Sequence, residues 1–236
     1  MFSAGSQSGL TVQNCEFNWI GGCIQKGALE YSSTRTFPTP YGNAIEIYGE
    51  AKNYTVDNCY FYQVYDAAMT HQGSKNGNIA IENVHYTNNV VEKAVYAVEI
   101  FYGNSTSESD VRSFDGTYVE NNILRMGGGF GHYARPDSGV TALIRNGALM
   151  DNTTNYIVKN NIFDRSETRI IQAGADGGSK AQYYDNIYVQ AKEYTFANRN
   201  GKQFVADATL AEALASTGTE HNSTYIIVDE LGYGKY

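Results

Sequence analysis

Apolar and polar residues alternate along this chain in short bursts, the two-residue period of a β-strand with one covered face, and the bursts are punctuated by asparagine and glycine. One burst recurs six times: Val12-Gln13-Asn14-Cys15-Glu16-Phe17, Val56-Asp57-Asn58-Cys59-Tyr60-Phe61, Ile81-Glu82-Asn83-Val84-His85-Tyr86, Val119-Glu120-Asn121-Asn122-Ile123-Leu124, Val158-Lys159-Asn160-Asn161-Ile162-Phe163 and Tyr184-Asp185-Asn186-Ile187-Tyr188-Val189. The aligned asparagines fall at 14, 58, 83, 121, 160 and 186, with successive spacings of 44, 25, 38, 39 and 26. The unit is therefore about 25 residues, lengthened in three copies by roughly 12 to 20, a period in the solenoid range.

A second strand-like burst ending at glycine lies between the copies: Ile45 to Gly49, Met69 to Gly73, Val98 to Gly103, Leu143 to Gly147 and Ile170 to Gly174. No helix-length amphipathic segment intervenes, so each unit holds two or three short strands, and stacking them predicts an all-β fold, a parallel β-helix. In such a coil each strand pairs with its copy one rung along, about 4.8 Å away, and like residues stand above like. Asparagine suits the repeated bend because it tolerates left-handed backbone and its amide can bond the next rung. The alignment predicts Asn58 stacked with Asn83, and Cys15 on Cys59 and Phe17 on Phe61 facing inward. The competing fold, an antiparallel sandwich, would place turns roughly every 8 to 12 residues.

After residue 205 the pattern changes. Asp207 to Ala215 offers an N-cap followed by strong helix formers, Gly218 stands where the helix would end, and Tyr225-Ile226-Ile227-Val228 reads as a strand. The chain is thus one domain, with about six to seven rungs over 9–205 and a cap over 206–236. A rung-like Leu10-Thr11-Val12 close to Met1 predicts further rungs upstream, or an end covered by association.

Composition narrows the function classes. Of 236 residues, 42% are hydrophobic and 13% aromatic, enough for a core, and 25 acidic against 17 basic residues give a formal charge of −8. No basic field exists to hold nucleic acid. No run of 18 or more apolar residues and no charged-then-apolar leader occurs, so neither a membrane span nor an export signal is predicted. Cys15, Cys23 and Cys59 form no CxxC spacing and read as small buried hydrophobes. Four sequons, at Asn53, Asn104, Asn152 and Asn222, arise readily in a chain with 22 asparagines and assign no compartment.

The six rungs, with the segments Gly42-Asn43-Ala44-Ile45-Glu46-Ile47, Tyr54 to Cys59 and Tyr65-Asp66-Ala67-Ala68-Met69-Thr70-His71-Gln72-Gly73, resemble the pectin-lyase-like superfamily of right-handed parallel β-helix proteins. The resemblance covers about residues 9 to 200 and is more specific for fold than for activity. It implies a secreted or cell-surface carbohydrate-active protein, with polysaccharide or oligosaccharide lying along one outer face over the glycine-terminated strands. No complete signature of the pectate lyases or polygalacturonases is present.

Alternation puts Ile45, Ile47, Val98 and Ile100 inward, hence Glu46 and Glu99 outward. Two steps of about 4.8 Å separate these carboxylates by roughly 9.6 Å, near the upper limit for the acid and base of an inverting glycosidase. Asp66 could turn over the same face. His71 titrates in the useful range for a base, although strict alternation from Met69 points it inward. Tyr48, Tyr102 and Tyr133 offer aromatic platforms for sugar rings, and His132, Arg135 and Arg145 offer hydrogen bonds. Residues 27 to 43, 103 to 116 and 125 to 140 form the walls, with the glycines of the last letting Phe130 to Arg135 lean over the strands. A glycoside hydrolase is favoured over a lyase, because a lyase acting on a polyuronate must neutralise the substrate carboxylate, by Ca2+ or by a strip formed from Arg125, Arg135, Arg145 and Arg169. The alternative is a solenoid that binds glycan without cleaving it, as a tailspike or adhesin segment would.

Overall fold

Residues 2–4, 7–21, 42–73, 79–102, 112–128, 141–146, 154–173, 181–199 and 202–233 are described in the computed structural model. Their strands form two hydrogen-bonded sheets, one of thirteen strands and one of eight. The smaller sheet begins with Gln7–Ser8 and Thr11–Gln13, both on Ala51–Asp57, and continues through Ile79–Thr87, Arg112–Glu120, Thr154–Lys159, Gln182–Tyr184 and Glu220–His221, each parallel to the last. The larger sheet holds two parallel rows. One contains Glu16–Ile20, Ile123–Gly127, Ile162–Ser166, Ile187–Ala191 and Thr224–Val228; the other contains Phe2–Ala4, Ile45–Tyr48, Ala142–Asn146, Arg169–Ala173 and Thr195–Arg199. Two long strands, Tyr60–Gly73 and Val90–Tyr102, run through both rows.

The chain visits the smaller sheet, then one row, then the other, and returns one step along. Among the described strands only Lys202–Val205 is antiparallel to its neighbour, Thr195–Arg199. Parallel registers of this kind exclude the antiparallel sandwich, and the curled sheets are compatible with a β-helix-like fold.

The bends are made by stacked residues in the left-handed region. One column is Asn14, Asn58, Asn88, Asn121, Asn160, Asp185 and Asn222, with φ between 51° and 59°. A second is Gly9, Asn53, Asn83, Gly116 and Asn155, and a third is Trp19, Gln63, Lys93, Met126 and Arg165. None of these residues is β-branched, as expected where each left-handed L-residue costs roughly 1–2 kcal/mol.

The columns correct the sequence alignment in its third and sixth copies. Asn88, not Asn83, stands on Asn58, and Asp185, not Asn186, follows Asn160. Asn83 belongs five residues earlier, where its amide donates to Asn53 Oδ1 at 2.8 Å. Both segments of the third copy carry Asn in the same alternation, so hydrophobic pattern alone could not choose between them.

A second ladder, one residue along from the first column, is buried. Asn89, Asn122 and Asn161 each donate Nδ2 to the Oδ1 of the next, ending on Asn186 at 3.1 Å, and the same oxygens accept backbone N–H groups. The ladder begins at Cys59, whose N–H donates to Asn89 Oδ1. Phe17 and Phe61 stack as expected, with centroids 4.9 Å apart. Cys15 does not follow: it is exposed, being opposite the buried Cys59 on a rung that has no described rung beyond it. Cys23 lies outside the described residues.

At the C-terminus the helix spans Leu210–Ala215 and buries Leu210 and Leu214. Its N-cap is Thr209; Asp207 instead accepts from the Thr209 N–H and hydroxyl. The strand predicted beyond it is Thr224–Val228, which pairs in parallel with Ile187–Ala191. No described helix is long and apolar enough to cross a membrane.

Candidate functional site

Alternation in the second row sets which side chains face outward, and the register then stacks them. Glu46 pairs with Thr70, Thr70 with Glu99, Glu99 with Arg145, Arg145 with Gln172 and Gln172 with Asn198. Ile45, Ile47, Met69, Val98, Ile100 and Ile144 on either side of this column are buried in the core. Three residues before it lies a parallel outer column: Ala67, Tyr96, Ala142 and Arg169. Ala67, Tyr96 and Ala142 form a satellite apolar cluster, while the intervening Ala68, Ala97, Leu143 and Ile170 join the main core. The strand therefore turns a corner between the two columns. The Arg145 guanidinium lies 4.8 Å from the Tyr96 ring centroid, bridging them.

Glu99 is the centre of this surface. It is only 3% exposed, though it points away from the main core. Arg145 Nη1 donates to its Oε1 at 2.6 Å, while Thr70 Oγ1 and Gln72 Nε2 donate to its Oε2 at 3.0 and 3.3 Å. A carboxylate taken out of water is held only by such charge-assisted donors. Two rungs away, Glu46 Oε2 accepts from Asn43 Nδ2 at 2.9 Å, and Asn43 Oδ1 accepts the Ala67 N–H at 3.0 Å. Asn43 thus fixes Glu46 to the corner. Asp66 is also buried, at 4%, and its N–H donates to the Gly42 carbonyl, so it sits beside the Glu46 end of the strip.

His71 does not join these carboxylates. It is inside the coil, where its Nε2–H donates to the Gly49 carbonyl at 3.2 Å and its Nδ1 accepts from Tyr54 OH at 2.7 Å. Tyr54 in turn is bonded to Tyr86 OH. Burial pushes the His71 imidazole down to about 3, so it is neutral and committed to internal partners. Tyr48 is 37% exposed, two residues from Glu46 on the same face. Tyr102 ends its strand opposite Gly73, with its side chain outside the described residues, as are His132, Tyr133, Arg135 and most of the three predicted wall segments.

The expected positive strip is largely neutralised. Arg125 pairs with Glu92 at 2.9 Å, in the other row, and Arg145 pairs with Glu99. Among the described residues no cluster of three or more His, Cys, Asp or Glu could hold a metal ion. Thr70, Gln72 and Asn43 were missing from the sequence-predicted site. Alternation pointed to the first two, since an inward His71 requires both neighbours outward; Asn43 gave no signal, because it precedes the strand and the Ala67 N–H that fixes it comes from another rung. Comparison with family models, with curated proteins and with solved structures finds no match.

Proposed function

We propose that this chain is a right-handed parallel β-helix of the pectin-lyase-like kind, which binds a polysaccharide or oligosaccharide along the outer strip from Glu46 to Asn198 and cleaves it as a glycoside hydrolase. The observation that supports this is the single column in which Glu46 and Glu99 flank Thr70. Their positions are two rungs apart, roughly 9.6 Å, which leaves room for the water an inverting mechanism needs.

The donors around each carboxylate divide the roles. Every hydrogen-bond partner of Glu99 gives it a proton to accept, so Glu99 serves as the base that takes a proton from the attacking water. Glu46 uses one oxygen for Asn43 and presents the other to the substrate, so it serves as the acid that protonates the leaving oxygen. Water adds to the anomeric carbon as the glycosidic C–O bond breaks, and the two proton transfers balance. Tyr48 supplies an apolar face for a sugar ring, and Tyr102, His132, Tyr133 and Arg135 are the proposed further contacts.

Incubation with a panel of polysaccharides tests this by release of reducing ends without the ultraviolet absorbance of an unsaturated lyase product. Glu46→Gln and Glu99→Gln should each lower kcat on the order of 10²- to 10⁴-fold. Unchanged hydrolysis in both variants would remove the assignment. A second reading, glycan binding without turnover, is favoured by the way Arg145, Thr70 and Gln72 already occupy Glu99. Saturable binding on a glycan array with no reducing ends released would select it. A surface or extracellular location, and Ca2+ as a bridge to an anionic polymer, belong to the same proposal.

A further inference from the structure

The outward columns of the coil differ in character. In the second row they run through Glu46, Thr70, Glu99 and Arg145, and on the smaller sheet through Asp57, Thr87, Glu120 and Lys159. The first row is different. Val91, Leu124, Phe163 and Tyr188 point into the core, so the residues just before them, Val90, Ile123, Ile162 and Ile187, stack on the outside. Stacking leaves the first three half-buried and Ile187 38% exposed. A continuous aliphatic ladder on a water-facing sheet marks an interaction surface.

The column beside it, two residues further along each strand, says what fits the ladder. It reads Tyr62, Glu92, Arg125, Asp164, Val189 and Ile226. Arg125 and Asp164 carry opposite charge on the adjacent rungs of Ile123 and Ile162, with 40% and 20% of their side chains exposed. A two-fold axis parallel to the strands and midway between these rungs lays a second copy, its coil reversed, face to face on the first, each column on itself. Ile123 then meets Ile162 of the second copy, Val90 meets Ile187, and Arg125 meets Asp164, each contact made twice. At the rim Ile226, 45% exposed, comes onto Tyr62, which Trp19, 64% exposed, already touches edge to face. Glu92, facing Val189, keeps the Tyr60 hydroxyl at 2.6 Å and Arg125 at 2.9 Å. The other two-fold arrangement, with the coils parallel, would press Arg125 and Asp164 onto isoleucines and desolvate both charges.

We infer that the outer ladder of the first row is a self-association surface, which pairs this chain with a second copy about that axis. The strip from Glu46 to Asn198 lies in the other row, so the pairing stands apart from the saccharide reading. Rungs about 4.8 Å apart from Glu16 to Thr224, and a strand width of roughly 15 Å, give on the order of 500 Å² per copy, the low end for a specific interface. The dimer should therefore be weak, with a dissociation constant of roughly 1–100 μM.

Sedimentation of the full chain over a concentration series up to about 500 μM reads the dimer directly. Arg125→Glu sets two acidic pairs across the axis and Asp164→Lys two basic ones, so each variant alone should self-associate about tenfold or more weakly than wild type. Mixed in equal amounts, the two variants face each other with opposite charges at both sites, and the mixture should recover the wild-type affinity within about threefold. Ile162→Ser, which changes an outward side chain at the axis, should weaken the dimer about tenfold while leaving the circular dichroism spectrum unchanged. Wild type that stays monomeric across the series overturns the inference and leaves the ladder to a different partner. A dimer indifferent to Ile162→Ser, a mixture no tighter than its components, or open-ended oligomers in place of a dimer overturn it equally.

Discussion

A histidine next to three acidic candidates reads as catalytic until its partners are known. His71 donates to a carbonyl and accepts from a phenol inside the coil, and its depressed pKa ties stability to pH in a defined direction. The folded value of about 3 lies below the ordinary 6.5, so the stabilisation is complete above pH 6.5 and is lost as pH falls toward 3, at about 1.4 kcal/mol per pH unit. Urea midpoints for wild type and His71→Gln between pH 7 and pH 4 should therefore converge as pH falls; a constant gap would show that His71 is not held neutral. Alternation made the direction of Glu46, Glu99 and His71 legible. The burial of Glu99 was not, because Arg145 comes from 46 residues away and nothing local announces the ion pair.

Within a rung, the paired asparagines Asn121-Asn122 and Asn160-Asn161 do two different jobs that look alike in sequence. The first of each pair supplies left-handed backbone and is exposed; the second is buried and bonds its neighbours. Asn122→Ala should cost about 2–5 kcal/mol, since it leaves the buried Tyr86 carbonyl and Asn89 N–H unsatisfied. Asn121→Gly should cost under about 1 kcal/mol, because glycine adopts the same backbone freely. Denaturation curves of the two variants separate the roles, and equal losses would contradict them. The repeat itself was readable from six bursts of alternation. The third copy was misaligned because asparagine bends the chain at both Asn83 and Asn88, and the sixth because Asp185 takes the bend while the adjacent Asn186 belongs to the buried ladder; only the register between rungs tells these positions apart.

Over the whole molecule, stability in a stack of rungs is a sum of neighbour contacts, so the ends should open first. Leu214, fully buried, fixes the helix beside the last rung, and Leu214→Ala should cost about 2–5 kcal/mol. Hydrogen exchange should then rise at Thr224–Val228 and leave Val91 and Leu124 protected; uniform loss of protection would show that the molecule opens as one unit.

The left-handed column at residues 14, 58, 88, 121, 160, 185 and 222 keeps its backbone angles while the intervals along it run through 44, 30, 33, 39, 25 and 37 residues. Excursion length and rung geometry are therefore separate variables. A foreign peptide spliced between Gly128 and Thr141 should leave the scaffold intact, whereas deleting one residue between Asn121 and Met126 would swing Leu124 out to solvent and Arg125 into the oil. For an engineer, this chain is a rack whose slots accept new inserts, provided the pitch of the rails is never touched.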